Sequence, residues 1–264
     1  MFDNREWRDA ARPELQRPEL QRPEPQRHAF VVDRLRPTKR RLSDDLRAGA
    51  KRLIDVGLSL VLLIVVSPVM AIIAVALKLD SRGPVVFIQE RAGSRRVVRR
   101  RQAWWEMRTF YCYKFRSMYS DIDQTAHERF IKDFVNGSLV DGPTDVTPFK
   151  LTSDARVTRV GRFLRRTSLD ELPQLVNVLK GDMSLVGPRP VPLYEVAEYE
   201  SWHYERLAAR PGITGTWQVY GRGRVSFAEM VRMDIEYVRR PSLSADFRLL
   251  VATLPAVFNG KGAH

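Results

Sequence analysis

Two adjacent acids, Asp170 and Glu171, follow three arginines in the segment Arg162-Phe-Leu-Arg-Arg-Thr-Ser-Leu-Asp-Glu-Leu-Pro-Gln-Leu. Leu172, Leu175, Val176 and Leu179 then recur at helical spacing, and Pro173 suits a first helical turn, where backbone N–H groups lack partners anyway. The acids therefore stand at a helix N-terminus, which binds phosphate through free N–H groups and the helix dipole. One carboxylate at such a place can attack phosphorus. Its neighbour can hold a Mg2+ ion that neutralises a diphosphate. Arg165 can clamp phosphate oxygens with its forked donors. A plainer reading stands beside this one. Ser168-x-x-Glu171 matches a capping box, and acids favour helix N-termini on dipole grounds alone.

Several other chemistries lack their patterns. The sequence has no G-x-x-x-x-G-K-[ST] loop, no strand-linked G-x-G-x-x-G and no G-x-S-x-G elbow. Four histidines, His28, His127, His203 and His264, are scattered, and the one cysteine can form neither an internal disulfide nor a zinc cluster. Cys112 is expected as a small buried residue in a reducing, cytoplasm-facing environment.

The elements that must position the acids fall into three stretches. Residues 1–45 begin with Arg12-Pro-Glu-Leu-Gln, repeated at Arg17 and varied at Arg22, and read as a disordered, PPII-leaning tail. Residues 46–80 read as a membrane helix. No residue from Val56 to Leu77 is charged, which is long enough for a hydrocarbon core of about 20 residues. Ser67-Pro68 interrupts the run at its middle, where proline removes a helical hydrogen bond and the Ser67 hydroxyl can satisfy the freed carbonyl.

Basic residues flank this run on both sides. Lys39, Arg40, Arg41, Lys51 and Arg52 precede it, and Lys78, Arg82, Arg91, Arg95 and Arg96 follow it. Positive charge stays on the cytoplasmic side, so a helix that enters, bends at Ser67-Pro68 and returns suits the pattern better than a single span. A helix buried in a soluble core is the third reading. No A-x-A-like cleavage site closes the apolar run, so it is expected to stay in the mature protein.

Residues 81–264 read as one compact mixed domain. Pro84 to Gln89 and Phe110 to Arg116 are expected as partner strands. Arg95 to Trp105 between them is read as a basic loop carrying two tryptophans, lying on lipid headgroups or in solvent. Arg129 to Val135 is read as helical and is followed by a loop at Asn136-Gly-Ser, Asp141-Gly-Pro and Thr147-Pro. From Val157 onward the pattern is mainly helical. Phe247 to Phe258 is too short to span and suits either an interfacial helix or a terminal core helix. The fold class is thus α+β, mainly helical, with a re-entrant membrane helix and interfacial amphipathic helices.

The formal net charge of +13, with 44% hydrophobic residues, fits nucleic acid, anionic lipid or phosphorylated substrates as partners of a folded domain. A membrane-tethered protein that binds nucleic acid finds support in Arg95 to Trp105. It leaves the Asp-Glu pair without a task, so no nucleic-acid partner is expected.

Thr167-Ser-Leu-Asp-Glu-Leu-Pro-Gln-Leu, followed by Leu185-Val-Gly-Pro-Arg-Pro, resembles the signature of the bacterial sugar transferases, the monotopic phosphoglycosyl transferases. The likeness runs in order through Lys51-Arg-Leu-Ile-Asp, Gly83-Pro-Val-Val-Phe, Gln89-Glu-Arg, Lys114-Phe-Arg-Ser-Met, Asp154-x-Arg-Val-Thr-x-Val-Gly, Arg210-Pro-Gly-Ile-Thr-Gly and Asp234-Ile-Glu-Tyr. It covers the chain from residue 51 onward and is most similar to the short form of the family.

The resemblance implies transfer of a sugar 1-phosphate from a UDP-sugar to polyprenol (undecaprenyl) phosphate, with release of UMP. It implies work at the cytoplasmic face of the bacterial inner membrane, at the first membrane step of exopolysaccharide, capsule or O-antigen assembly. Asp170 matches the nucleophile that forms an aspartyl-phosphosugar, and Glu171 the carboxylate that binds Mg2+. Lys114, Arg165 and Arg189, with Pro188 in the same turn, match substrate-binding positions, and Ser67-Pro68 matches the membrane-helix break. Asp234 matches a recurrent acid to which no role is assigned. Self-association stays open. Without the resemblance, Gly187-Pro188-Arg189-Pro190 is a rigid turn with an exposed Arg, and Lys114-x-Arg116 is a strand with a charged outer face. Arg95 to Arg108 and Gln124 to Lys150 are longer than the family's usual links.

Overall fold

In a computed structural model of the chain, the structure describes residues 34–39, 41–100, 102–119, 131–136, 156–221 and 225–258. The repeats of the N-terminal stretch and most of the Gln124 to Lys150 expansion lie outside these residues. Arg34–Lys39, inside the stretch read as a tail, is strand β1.

Helix α1, Leu42–Asp80, is 39 residues long and carries Pro68 within it. Ser67 Oγ donates to Ile64 O at 2.8 Å. That carbonyl is the one Pro68 cannot reach, so the hydroxyl takes the role expected of it. Only 11% of the most apolar stretch of α1 is buried, which rules out the core-helix reading; by length and composition α1 can cross a membrane. Leu53, Ile64, Val65, Ile72 and Leu79 are all exposed.

The other face of α1 is the spine of the domain. Leu62, Leu63 and Val66 pack on a core of Phe110, Leu175, Val178, Met183, Leu185 and Leu249. Ile73 and Leu77 pack on Phe115 and Leu164. Fully burying one such side chain is worth roughly 2 kcal/mol, so α1 is held along its length rather than tethered at one end.

Strands β2, Val86–Arg99, and β3, Gln102–Phe115, form an unbroken antiparallel hairpin from Val86 opposite Phe115 to Arg99 opposite Gln102. The expected partner strands are therefore present, but Arg95 to Trp105 is not a loop. The strand-forming Val97-Val98 and Trp104-Trp105 outweigh the arginines between them. Trp104 is buried and its indole N–H donates to Glu106 at 3.0 Å. Arg100 makes the turn at φ 49°. With β1 on one side and β5, Val191–Pro192, on the other, the sheet order is β1-β3-β2-β5.

The remainder is mainly helical, as expected. Helix α2, Arg159–Thr167, starts at Thr158, whose hydroxyl accepts from Gly161 N at 2.9 Å. A 3-10 turn at Leu169–Glu171 leads to α3, Gln174–Lys180. Strands β4, Ser184–Val186, and β6, Gly212–Thr214, pair in parallel. Short helices α4, Leu193–Val196, and α5, Thr216–Tyr220, precede α6, Phe227–Arg239, and α7, Leu243–Phe258. The last helix is buried on one face and exposed on the other. Leu249 is in the core, while Phe247, Val251 and Leu254 are exposed.

Candidate active site

Helix α2 ends at Ser168, which lies in the left-handed region at φ 56° and donates its N–H to Arg165 O. That conformation costs a non-glycine residue on the order of 1 kcal/mol and turns the chain sharply before the acids. Ser168 is thus a helix terminator here, and its side chain makes no capping bond to the turn that follows. The capping box expected at Ser168 and Glu171 is not formed. The same Ser-x-x-Glu spacing does form one at Ser226 and Glu229, at the start of α6.

Asp170 and Glu171 are carried on the 3-10 turn ahead of α3, and both are half-buried. Asn177 fixes the height of this turn against the sheet. Its Oδ1 accepts from Tyr113 N at 3.0 Å and its Nδ2 donates to Tyr111 O at 2.7 Å, clamping α3 to β3. One residue beyond that clamp, Lys114 Nζ meets Glu171 Oε1 at 3.1 Å. Arg189 NH1 approaches the same oxygen at 3.4 Å from the other side. Two cations thus converge on one carboxylate, and the three side chains are 16–17% exposed.

Arg189 projects from the turn between β4 and β5. Gly187 and Gly212 allow this turn to lie against the Arg210-Pro-Gly segment, since a Cβ on either would run into the backbone of the other. Gly187 N donates to Thr214 O at 2.9 Å and Gly212 N to Pro188 O at 2.8 Å. Pro188 is buried in this contact. Trp217 of α5 lies 6.0 Å from the Arg189 guanidinium, within cation–π range.

The structure therefore brings Lys114, Glu171 and Arg189 together, with Asp170 next in chain and Arg165 in the last turn of α2. Ser67 and Pro68 lie elsewhere, exposed on α1. Cys112, buried two residues from Lys114, is pushed up by burial and stays a neutral thiol, leaving the carboxylates as the nucleophile candidates. They are hard oxygen donors suited to Mg2+. Among the described residues no third acid, His or Cys groups with them, so further ligands would be substrate phosphate and water, the usual way Mg2+ is held.

Three supporting residues were named in the sequence without that role, Arg91 as a flanking charge, Arg116 as an outward charge and Asp234 as an acid with none assigned. Arg91 NH1 donates to Pro190 O at 2.9 Å and its NH2 to Gln89 Oε1 at 2.6 Å, bracing the Arg189 turn from β2. Burial holds Arg91 below its ordinary value. Arg116, which spacing allowed as an outward charge, is buried and donates to the carbonyls of Leu77, Ser81 and Arg82 at the end of α1. Asp234 is paired with Arg206 at 2.6 Å in the interior. The local signal for Arg91 is its place in Gln89-Glu-Arg; nothing local marks Arg116 or Asp234 as buried.

Residues 46–260 match the model of a family described as bacterial sugar transferase. The chain is 37% identical over 215 residues to a galactosyl transferase, CpsE, of Streptococcus agalactiae, which covers 81% of this chain and 43% of that protein. It is 38% identical over 215 residues to the exopolysaccharide production protein ExoY of Sinorhizobium fredii, covering 81% and 88%. It is 37% identical over 245 residues to an undecaprenyl-phosphate glucose phosphotransferase of Komagataeibacter xylinus, covering 86% and 40%. The chain thus spans less than half of the first and third of these relatives and most of the second.

Proposed function

The chain belongs to the bacterial sugar transferase family, and on that premise we propose that it moves a sugar 1-phosphate from a UDP-sugar to undecaprenyl phosphate. One observation carries the reading beyond the family. Two cations, Lys114 and Arg189, meet at the carboxylate beside Asp170, so a phosphate and a nucleophile can share one half-buried site. The relatives' names divide between galactose and glucose, so the donor is a UDP-hexose of that kind.

The Asp170 carboxylate attacks the sugar-bearing phosphorus, the bond to the bridging oxygen breaks, and UMP leaves. Lys114, Arg189 and Arg165 hold the phosphate oxygens as negative charge shifts to the leaving group. The phosphate of undecaprenyl phosphate then attacks the same phosphorus, and the acyl phosphate bond to Asp170 breaks. The carboxylate is restored and the diphosphate-linked sugar lipid departs. Glu171 would hold Mg2+, which supplies charge neutralisation for the diphosphate when bound.

The helix α1 enters and leaves the membrane on the cytoplasmic face of the inner membrane in this reading. What supports it is that both ends serve one domain. Asp55 Oδ1 accepts from Leu185 N at 3.0 Å, and Asp80 Oδ2 accepts from Val160 N at 3.2 Å. A straight crossing would place those two residues on opposite sides of the bilayer, because 25 residues of helix rise about 38 Å against a hydrocarbon core of about 30 Å.

The test is UMP release by the purified chain with Mg2+, undecaprenyl phosphate and a panel of UDP-sugars beginning with galactose and glucose. Release with one donor, abolished in Asp170→Asn, is the expected result. Full activity in Asp170→Asn would overturn the mechanism, because an amide cannot form the acyl phosphate.

A further inference from the structure

A cavity of about 510 Å³ is lined by the start of α1, the distal part of the β2-β3 hairpin and the segments before β6 and around the α6-α7 junction. None of Lys114, Arg165, Asp170, Glu171 and Arg189 is among the residues that line it. The cavity is therefore a second place, not an extension of the first.

Its charges are unevenly matched. Of the lining acids, Asp44 pairs with Arg47 at 3.0 Å, and Asp246 pairs with Lys51 at 2.8 Å and accepts from Tyr237 at 2.7 Å. Asp45, nearby, is taken by Arg96 at 2.7 Å. Arg210 also lines the cavity, and its guanidinium has neither hydrogen bond nor ion pair among the described residues. It is half-buried, and its charged neighbours are Arg52, Arg108 and Arg95 against the single carboxylate of Asp55. Burial and those guanidiniums together hold Arg210 below its ordinary value.

Neither remaining acid can make up the deficit. Asp182 is paired with Arg108 at 3.0 Å, and Asp55, which accepts from Leu185 N, sets one negative charge against the three of Arg52, Arg95 and Arg210. Arg52 donates to the carbonyls of Val178 and Leu179, which satisfies its hydrogens without neutralising its charge. Clustered like charges that are partly desolvated are costly unless an anion joins them.

We infer that this cavity is a second phosphate-binding site, with Arg210 as its anchor and Arg95, a charged neighbour of Arg210 outside the lining, adding to its positive field. The ligand is a phosphate ester or diester, because an arginine fork matches phosphate oxygens and the surplus is of full positive charges. Its surroundings favour a lipid headgroup over a free phosphate. The same first turns of α1 that line the cavity expose Leu42, Leu46, Leu53 and Ile54, a surface along which acyl chains can lie. The site also backs onto catalysis. The backbone of Arg210 lies against Gly187, two residues before Arg189, so an occupant of this cavity bears on the turn that aims Arg189.

The experiment uses the full chain in micelles of uncharged detergent and follows the thermal unfolding midpoint at constant ionic strength. Inorganic phosphate is titrated in one arm and dihexanoyl phosphatidylglycerol in the other. Both arms are run in the wild-type chain and in one carrying Lys114→Gln and Arg189→Gln, which removes the catalytic cations. The expected result is a saturable rise with phosphatidylglycerol in both chains, with apparent affinity lowered about tenfold or more by Arg210→Gln. A saturable rise with inorganic phosphate at equal affinity supports the site but assigns it to free phosphate. Arg95→Gln, at an exposed position that cannot compromise folding, is expected to weaken binding by about threefold. A response unchanged by both the Arg210 and Arg95 substitutions overturns the proposal. So does a response lost on the Lys114 and Arg189 changes alone.

Discussion

Two charged clusters in this molecule use the same residue types in opposite proportions. At the candidate active site, Lys114 and Arg189 share one oxygen of Glu171 and all three remain 16–17% exposed. In the interior, Arg206 alone faces two acids, donating to Asp234 at 2.6 and 3.0 Å and approaching Glu195 at 3.4 Å, with all three at most 3% exposed. The first cluster sets two cations on one carboxylate oxygen and is reached by solvent, so an arriving phosphate can join it. The second carries surplus negative charge and is sealed, so only a proton can. Burial accordingly pushes Asp234 up to about 6, although Arg206 pulls it the other way. Burial opposes the charge of Arg206 as well, yet Tyr199, Asp234 and Glu195 hold it above its ordinary value. Access decides which cluster recognises a ligand and which holds the fold.

The largest effect should come at the open cluster. Asp170→Asn is expected to reduce UMP release by on the order of 10^4-fold while leaving the unfolding midpoint unchanged, because in the proposed mechanism the group removed acts on substrate. A loss of activity accompanied by unfolding would instead make Asp170 part of the scaffold. The next largest belongs to the sealed cluster and has the opposite signature. Arg206→Leu strands two buried carboxylates, a change that costs about 3–5 kcal/mol. The midpoint should fall by many degrees, and activity should fall only in step with the folded fraction. Wild-type stability in that variant would mean the interior pair is dispensable.

This contrast explains what could be read from the chain alone. Asp170 and Glu171 stood out as adjacent acids after three arginines, Lys114 and Arg189 only by the resemblance of their local strings, and the structure brings Lys114 and Arg189 to Glu171. Ser67 could be assigned its acceptor in advance, since a proline orphans a known carbonyl. Arg206 and Arg116 were not legible as buried residues. Their partners, Asp234 and the end of α1, stand 28 and 34 or more positions away, and an arginine in a sequence looks solvated. The hairpin from Arg95 to Trp105 was hidden for a related reason, its arginines suggesting a solvated loop although the β-branched and aromatic residues set its backbone. Ser168 and Ser226 make the limit sharpest. Both precede a Glu by three positions, but only Ser226 caps a helix, since Ser168 is already used to end one.

The sealed cluster should also give a pH signature that the open one does not. Between the ordinary value of 3.8 and about 6, Asp234 is protonated in the folded chain and ionised in the unfolded one. The folded state binds more protons there, so the stability this group contributes is full below about pH 4 and is lost as pH rises to about 6. The full shift corresponds to about 3 kcal/mol. In Asp234→Asn that slope should vanish, so the stability of the wild type relative to the variant should grow as pH falls from 6 to 4. Midpoints measured at intervals across that range test this. A constant difference would show that Arg206 keeps Asp234 ionised throughout.

The smallest effect is the one that separates the clusters most cleanly. Lys114→Gln removes one of the two cations on Glu171 but leaves Arg189 as its partner at 3.4 Å. No buried charge is stranded, so the unfolding midpoint should move by no more than about 1 kcal/mol would produce. Catalysis should respond differently, because the lost cation is one that a phosphate would meet. UMP release should fall by roughly 10- to 100-fold, about 1.4–2.7 kcal/mol of transition-state interaction. Lys114→Arg should recover part of it by restoring the charge with a different reach. A variant that lost stability as steeply as Arg206→Leu would place Lys114 among the residues that hold the fold, and the two cations at the open cluster would then be a structural feature rather than a receptor for phosphate.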